Sequence, residues 1–172
     1  MEIRTAPEQH IEVHKFHAGA IVGATAAALV LQAFLPVHFN WAARLELPLL
    51  ITLYFALSRR NPVTGLLLGM VIGLVQDSLS RSPLGLYGIA KTFVGFLGSS
   101  VGARLDVEHP LSRFALVFSF FHLHQAVLAL TKRLLLAQHE PFITMPLVIA
   151  SLVNAALAVV LFPVLDRLRK PS

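Results

Sequence analysis

The chain has 172 residues, of which 56% are hydrophobic and only 13% charged, and its mean hydropathy is +0.72; a soluble chain carries roughly a quarter charged residues, so a largely water-exposed fold is excluded. The absence of cysteine excludes disulfides, thiolate nucleophiles and cysteine-ligated metals. The net charge of +5 comes from short Lys and Arg clusters between apolar runs with little aromatic interleaving, which membrane topology explains better than nucleic-acid binding does.

Residues 1–17 mix Glu2, Glu8 and Glu12 with Arg4 and Lys15, and the apolar run that follows is too long for a signal-peptide core. The segment therefore reads as a cytoplasmic N-terminal stretch before a retained helix. If helical, it puts His10, His14 and His17 on one face, a spacing that can hold a metal. With no acid placed beside them as a base, a solvated interfacial helix is the simpler reading.

The first span covers residues 18–38, interrupted only by Gln32. Ala20, Ala24 and Ala28 fall four apart, as do Gly19, Gly23 and Ala27, and small residues at that spacing let another backbone approach closely in lipid. The second span, residues 47–57, is strongly apolar but short of the roughly 20 residues a crossing needs. Extension back through Trp41 supplies the length and places Arg44 and Glu46 at the interface.

Arg59, Arg60, Asn61 and Pro62 then punctuate the chain, with Asn61 as N-cap and Pro62 as first helical residue of a third span over 63–79. Gly65, Gly69 and Gly73 align on one face of it, offering either an internal packing row or a groove for a partner helix. Ser82 and Pro83 repeat the cap-then-proline start for a fourth span over 84–103, which is rich in glycine. Pro110 opens a fifth span over 111–131, closed by Lys132 and Arg133, and the sixth covers 142–165 before a basic tail at 166–172.

These elements predict an all-α bundle of six transmembrane helices over residues 18–165. With six spans, one side carries Arg4, Lys15, Arg59, Arg60, Arg104, Arg113, Arg167, Arg169 and Lys170, against Arg44, Arg81, Lys132 and Arg133 on the other. Nine against four puts both termini in the cytoplasm.

Gln76, Asp77 and Lys91 are polar groups expected within the membrane, where ionisable residues are functional candidates by default. A structural ion pair is the plainer reading, so Asp77 and Lys91 are expected to meet directly or through one water, leaving a proton or ion path as the alternative. His122 and His124 lie about 200° apart around a helix and cannot chelate one metal from one face. His122 shares its face with Phe118 and Gln125, which suits interhelical hydrogen bonding, and Asn154 reads as a packing or hydrogen-bonding residue. No nucleophile–base pair, phosphate loop or paired carboxylates occur, so neither an enzyme nor a cofactor is expected.

The stretch Gly73-Leu74-Val75-Gln76-Asp77-Ser78-Leu79-Ser80-Arg81-Ser82-Pro83-Leu84-Gly85-Leu86-Tyr87 resembles the signature region of the rod shape-determining protein MreD family. Gly73, Asp77, Ser80, Ser82, Pro83, Leu84 and Gly85 match the family's pattern of a helix end, a Ser-rich turn and a Pro-Leu-Gly opening of the next helix. The resemblance implies a non-enzymatic component of the bacterial inner membrane in the cell-elongation machinery. It further implies direct association with the bitopic protein MreC and, through it, with MreB, the glycosyltransferase RodA and a class-B penicillin-binding transpeptidase, and thus a part in positioning or regulating peptidoglycan synthesis. Lys91 has no place in that pattern.

A competing reading is a substrate-binding subunit like the S components of energy-coupling-factor vitamin transporters, which are similar in span count and length and use an Ala-x-x-x-Ala face of the first helix. Ala20, Ala24 and Ala28 suit that reading. Few aromatic or polar side chains in the outer loops are available to line a vitamin pocket.

Overall fold

The computed structural model describes residues 16–169 apart from 81, 106, 140 and 142. The expectations resting on His10, His14, Arg4, Lys15, Arg81, Phe142 and Lys170 therefore lie outside the described residues. Within them the fold is all-helical, in the order α1 (Ala18–His38), a 3₁₀ corner (Asn40–Arg44), α2 (Leu47–Arg59), α3 (Pro62–Leu79), α4 (Leu86–Gly102), α5 (Pro110–Leu136) and α6 (Met145–Asp166).

Proline and side-chain caps set most of the starts. The Asn61 side chain accepts from the Thr64 N–H at 3.1 Å and Pro62 opens α3, as the sequence predicts. His109 and Thr144 cap α5 and α6 in the same manner, each followed by proline in the first turn. Arg60 closes α2 in the left-handed region at φ 54°, which turns the chain straight into α3.

Four of the helices, α1, α3, α5 and α6, are long and apolar enough to cross a membrane. The second does not extend back through Trp41: the chain corners at Asn40–Arg44, and Pro48 in the first turn of α2 holds the helix to 13 residues. At 1.5 Å per residue this is about 20 Å, short of a hydrocarbon layer about 30 Å thick. Every residue of α2 from Pro48 to Ser58 is buried, so it is the central post of the bundle rather than a lipid-facing helix. Tyr54, Phe55, Phe162 and Phe16 pack edge to face around its lower half.

The fourth helix begins at Leu86 rather than at residue 84. Gly85 precedes it at φ 101°, a conformation closed to side-chain-bearing residues, so Pro83 lies in the turn and not in the first helical turn. The fifth runs on to Leu136, so Lys132 and Arg133 belong to its last turns, and Ala137 terminates it at φ 52°.

The glycine row of α3 is an internal packing face. A Cβ on Gly65 would strike the Gly95 carbonyl, one on Gly69 the Lys91 carbonyl, and one on Gly73 the Tyr87 carbonyl. Gly95 answers against the Gly65 carbonyl, and Gly102 lies on the backbone of Leu57. Backbone-to-backbone approach thus joins α3 to α4 and α4 to α2, the form of packing that associates helices where no hydrophobic force acts between them.

Candidate functional site

The signature turn owes its shape to Asp77. This carboxylate is fully buried at the end of α3 and reaches across to the start of α4, where Gly85 itself offers no side-chain cap. Gly85 and Gly88 donate their N–H groups to Oδ2 at 2.9 and 3.1 Å, and Tyr87 donates to Oδ1 at 3.0 Å. A negative charge on three otherwise orphaned N–H groups meets both the hydrogen-bonding need and the dipole of that helix end. A Cβ on Gly88 would press on the Leu74 side chain at 3.0 Å and lie 3.6 Å from the Asp77 carboxylate. Ser80 caps the other strand of the turn, donating to the Gln76 carbonyl at 2.7 Å and lying 3.2 Å from the Ser82 hydroxyl. Leu84 is exposed at the turn.

Asp77 and Lys91 do not pair. The Asp77 oxygens are turned onto the backbone of α4, and Lys91 finds its partners one turn deeper. Its fully buried ammonium lies 3.7 Å from Glu46 Oε2 and 3.3 Å from His124 Nε2, and 4.8 Å from the centre of the Tyr87 ring. The Tyr87 ring stacks on His124 with centroids 6.0 Å apart. Gln76 completes the group by donating from Nε2 to Glu46 Oε2 at 3.4 Å. A buried amine this well enclosed is held by the Glu46 carboxylate from the corner before α2, the Tyr87 ring of α4 and the His124 imidazole of α5.

Two amides fix the corner that delivers Glu46. Gln32 of α1 donates to the Leu45 carbonyl at 2.8 Å and accepts from the Leu47 N–H at 3.0 Å. Asn154 of α6 accepts from the Glu46 N–H at 2.9 Å and donates to the carbonyls of Arg44 and Ala150, both at 2.8 Å. Beside the corner lies a cavity of about 170 Å³, lined by Gln32, Glu46, Gln76, Ser80 and Tyr87 together with small and aliphatic residues.

Of the polar candidates read from the sequence, Gln76, Lys91 and His124 meet in this cluster and Asp77 borders it. Among the described residues His122 forms no interhelical bond of the kind expected; its Nδ1 donates to the Phe118 carbonyl of its own helix at 3.0 Å. Gln125 is half-buried on α5 outside the cluster. On α1, Ala28 is buried and Ala24 packs against the core, whereas Gly19 and Gly23 have open space where a Cβ would stand.

Glu46 and Gln32 were not legible as site residues. Glu46 reads as an interfacial charge on a lengthened second helix, and only the corner at Asn40–Arg44 turns it inward. A second polar cluster lies at the opposite end of the bundle, where Asp166 accepts from Arg113 and Arg169 at 2.7 Å each and from the Tyr54 hydroxyl at 3.0 Å. From the sequence, Arg113, Asp166 and Arg169 carried only a topological meaning.

Neither the curated proteins nor the solved structures contain a match to the chain. The family model for the rod shape-determining protein MreD, however, covers residues 16–170, which includes the Asp77-capped turn and every helix that surrounds it. The chain therefore belongs to the MreD family of rod shape-determining membrane proteins.

Proposed function

We propose that this protein is a non-enzymatic scaffold of the inner membrane that crosses the bilayer six times with both termini cytoplasmic, binds MreC directly, and through it helps to position or regulate peptidoglycan synthesis. The observation that carries this reading is the family match over residues 16–170, which implies a role in determining rod shape. The excess of Lys and Arg at the ends of the chain and in the α2–α3 and α4–α5 connections supports the orientation. In it α2 and α4 complete their crossings with the help of the corner and the signature turn.

The docking face we assign to MreC is the outer side of α1. The glycines of α3 and α4 are already used against one another, so they are not free to receive a partner. Gly19 and Gly23 are exposed, one turn apart, with nothing within 4 Å of their Cβ positions. A single membrane-crossing helix can approach closely there. The same geometry weighs against the vitamin-transporter alternative, because the Ala20, Ala24 and Ala28 face that it requires is turned partly or wholly into the bundle.

Co-purification tests the reading. Gly23→Leu should leave yield and thermal stability unchanged yet abolish recovery with tagged MreC from native membranes. Undiminished recovery of the variant with MreC would remove α1 as the docking face.

A further inference from the structure

The cavity beside Glu46 holds hydrogen-bonding capacity that the protein itself does not use. Both protein contacts of the Glu46 carboxylate fall on Oε2, and Oε1 has no partner among the described residues. Gln76 is only 5% exposed and lines the cavity. Its amide orientation is set by the neighbour: a carboxylate can only accept, so Nε2 must face Glu46. That leaves Gln76 Oε1 buried and without a partner. Two unpartnered acceptors therefore belong to residues that line one cavity, and a ligand that satisfies either of them must donate hydrogen bonds.

Charge narrows the choice further. Among the buried described residues, Glu46 and Asp77 bring two carboxyl groups to this part of the molecule against the single amine of Lys91, with the Arg44 guanidinium exposed outside. The three backbone N–H groups on Asp77 solvate its charge without supplying a whole positive one. A cationic donor balances the site better than a neutral one in a medium of low dielectric.

Position identifies the source. The cavity lies where α1 and α3 end and where α2 and α4 begin, at one end of a bundle whose long apolar helices fit a membrane. Trp41, Phe39, Phe34 and Val37 are exposed at the same end, and aromatic rings of this kind sit at the level of the lipid headgroups. Arg44, exposed on the corner two residues before Glu46, makes no side-chain ion pair among the described residues and offers a charge for a phosphate. A cavity near 150 Å³ accommodates a benzene ring, so about 170 Å³ accommodates an ethanolamine group.

We infer that the cavity lined by Glu46, Gln76, Gln32 and Ser80 binds the primary ammonium of an aminophospholipid headgroup.

The test compares retained lipid in protein extracted from nanodiscs of equimolar phosphatidylethanolamine and phosphatidylcholine, read by native mass spectrometry. The trimethylammonium of phosphatidylcholine is equally charged but cannot donate. Hydrogen bonds to a charged group set the expected preference at about tenfold for phosphatidylethanolamine. Gln76→Leu, which removes one acceptor, and Ala33→Phe, which fills the cavity from the exposed side of α1 and removes no polar group, should each bring the ratio close to one. Their melting temperatures check that both remain folded. Equal retention of the two lipids by the unaltered protein, or an undiminished preference in Ala33→Phe, would overturn the assignment. Free ethanolamine in detergent should not raise the melting temperature; if it does so as strongly as phosphatidylethanolamine, the site belongs to a soluble amine and the lipid assignment fails.

Discussion

At the scale of single residues, Asp77 and Lys91 show where sequence reasoning reaches and where it stops. Both were legible as buried charges, since each stands in an apolar run, and the short turn made α3 and α4 neighbours. Which way Asp77 turns was not legible, because a side chain at a helix end can serve either the facing side chain or the facing backbone. Three N–H groups at the N-terminus of α4, beyond the reach of its own carbonyls, decide for the backbone. Asp77→Ala should therefore cost about 3 kcal/mol or more, the summed effect of leaving buried donors unpaired, and a double-mutant cycle with Lys91→Met should show less coupling than the cycle of Lys91 with Glu46. The Glu46 and Lys91 pair should behave in the opposite manner. Lys91→Met and Glu46→Gln each break a buried pair, at about 3 kcal/mol, and the double variant should recover a substantial part of the loss in thermal melts. Strong coupling of Lys91 to Asp77 instead would contradict the geometry.

At the scale of elements, caps and prolines made Asn61, Pro62 and Pro110 readable as helix starts, because each acts through its own local chemistry. The start of α4 is hidden in the sequence for the opposite reason. Its cap is supplied by Asp77, a residue of the preceding helix, and nothing in the local run from Ser82 to Leu84 reveals that. The short α2 likewise meets the bilayer only if extended back through Trp41, whereas burial on every side frees a helix from spanning lipid alone. The spacing of Gly65, Gly69 and Gly73 was legible as a close-approach face, and the glycines of α4 supply the matching surface. Gly69→Leu should lower yield and thermal stability of the isolated protein severely, because its side chain would have to enter the backbone of α4 at Lys91. Retention of full stability with loss of MreC would move the docking face from α1 to this groove.

At the scale of the whole molecule, the structure is a bundle held together near both ends by polar clusters and along its middle by backbone contact. One cluster joins Glu46, Gln76, Lys91 and His124, and the other joins Arg113, Asp166, Arg169 and Tyr54. Such an arrangement gives a rigid body with apolar sides, suited to presenting one helix face to a partner within the bilayer. The proposed orientation is open to thiol labelling, which the absence of native cysteine makes clean. Ser82→Cys should react with an impermeant reagent in intact cells and Ser172→Cys should not; the reverse pattern would invert the topology. The central claim, a scaffold that takes MreC on α1, is tested most directly by cysteine crosslinking in native membranes between this chain and the membrane helix of MreC. Gly23→Cys, at a position with open space for its side chain, should give a crosslinked product, and Val160→Cys, exposed on α6, should give none. A product at residue 160 with none at residue 23 would contradict the account.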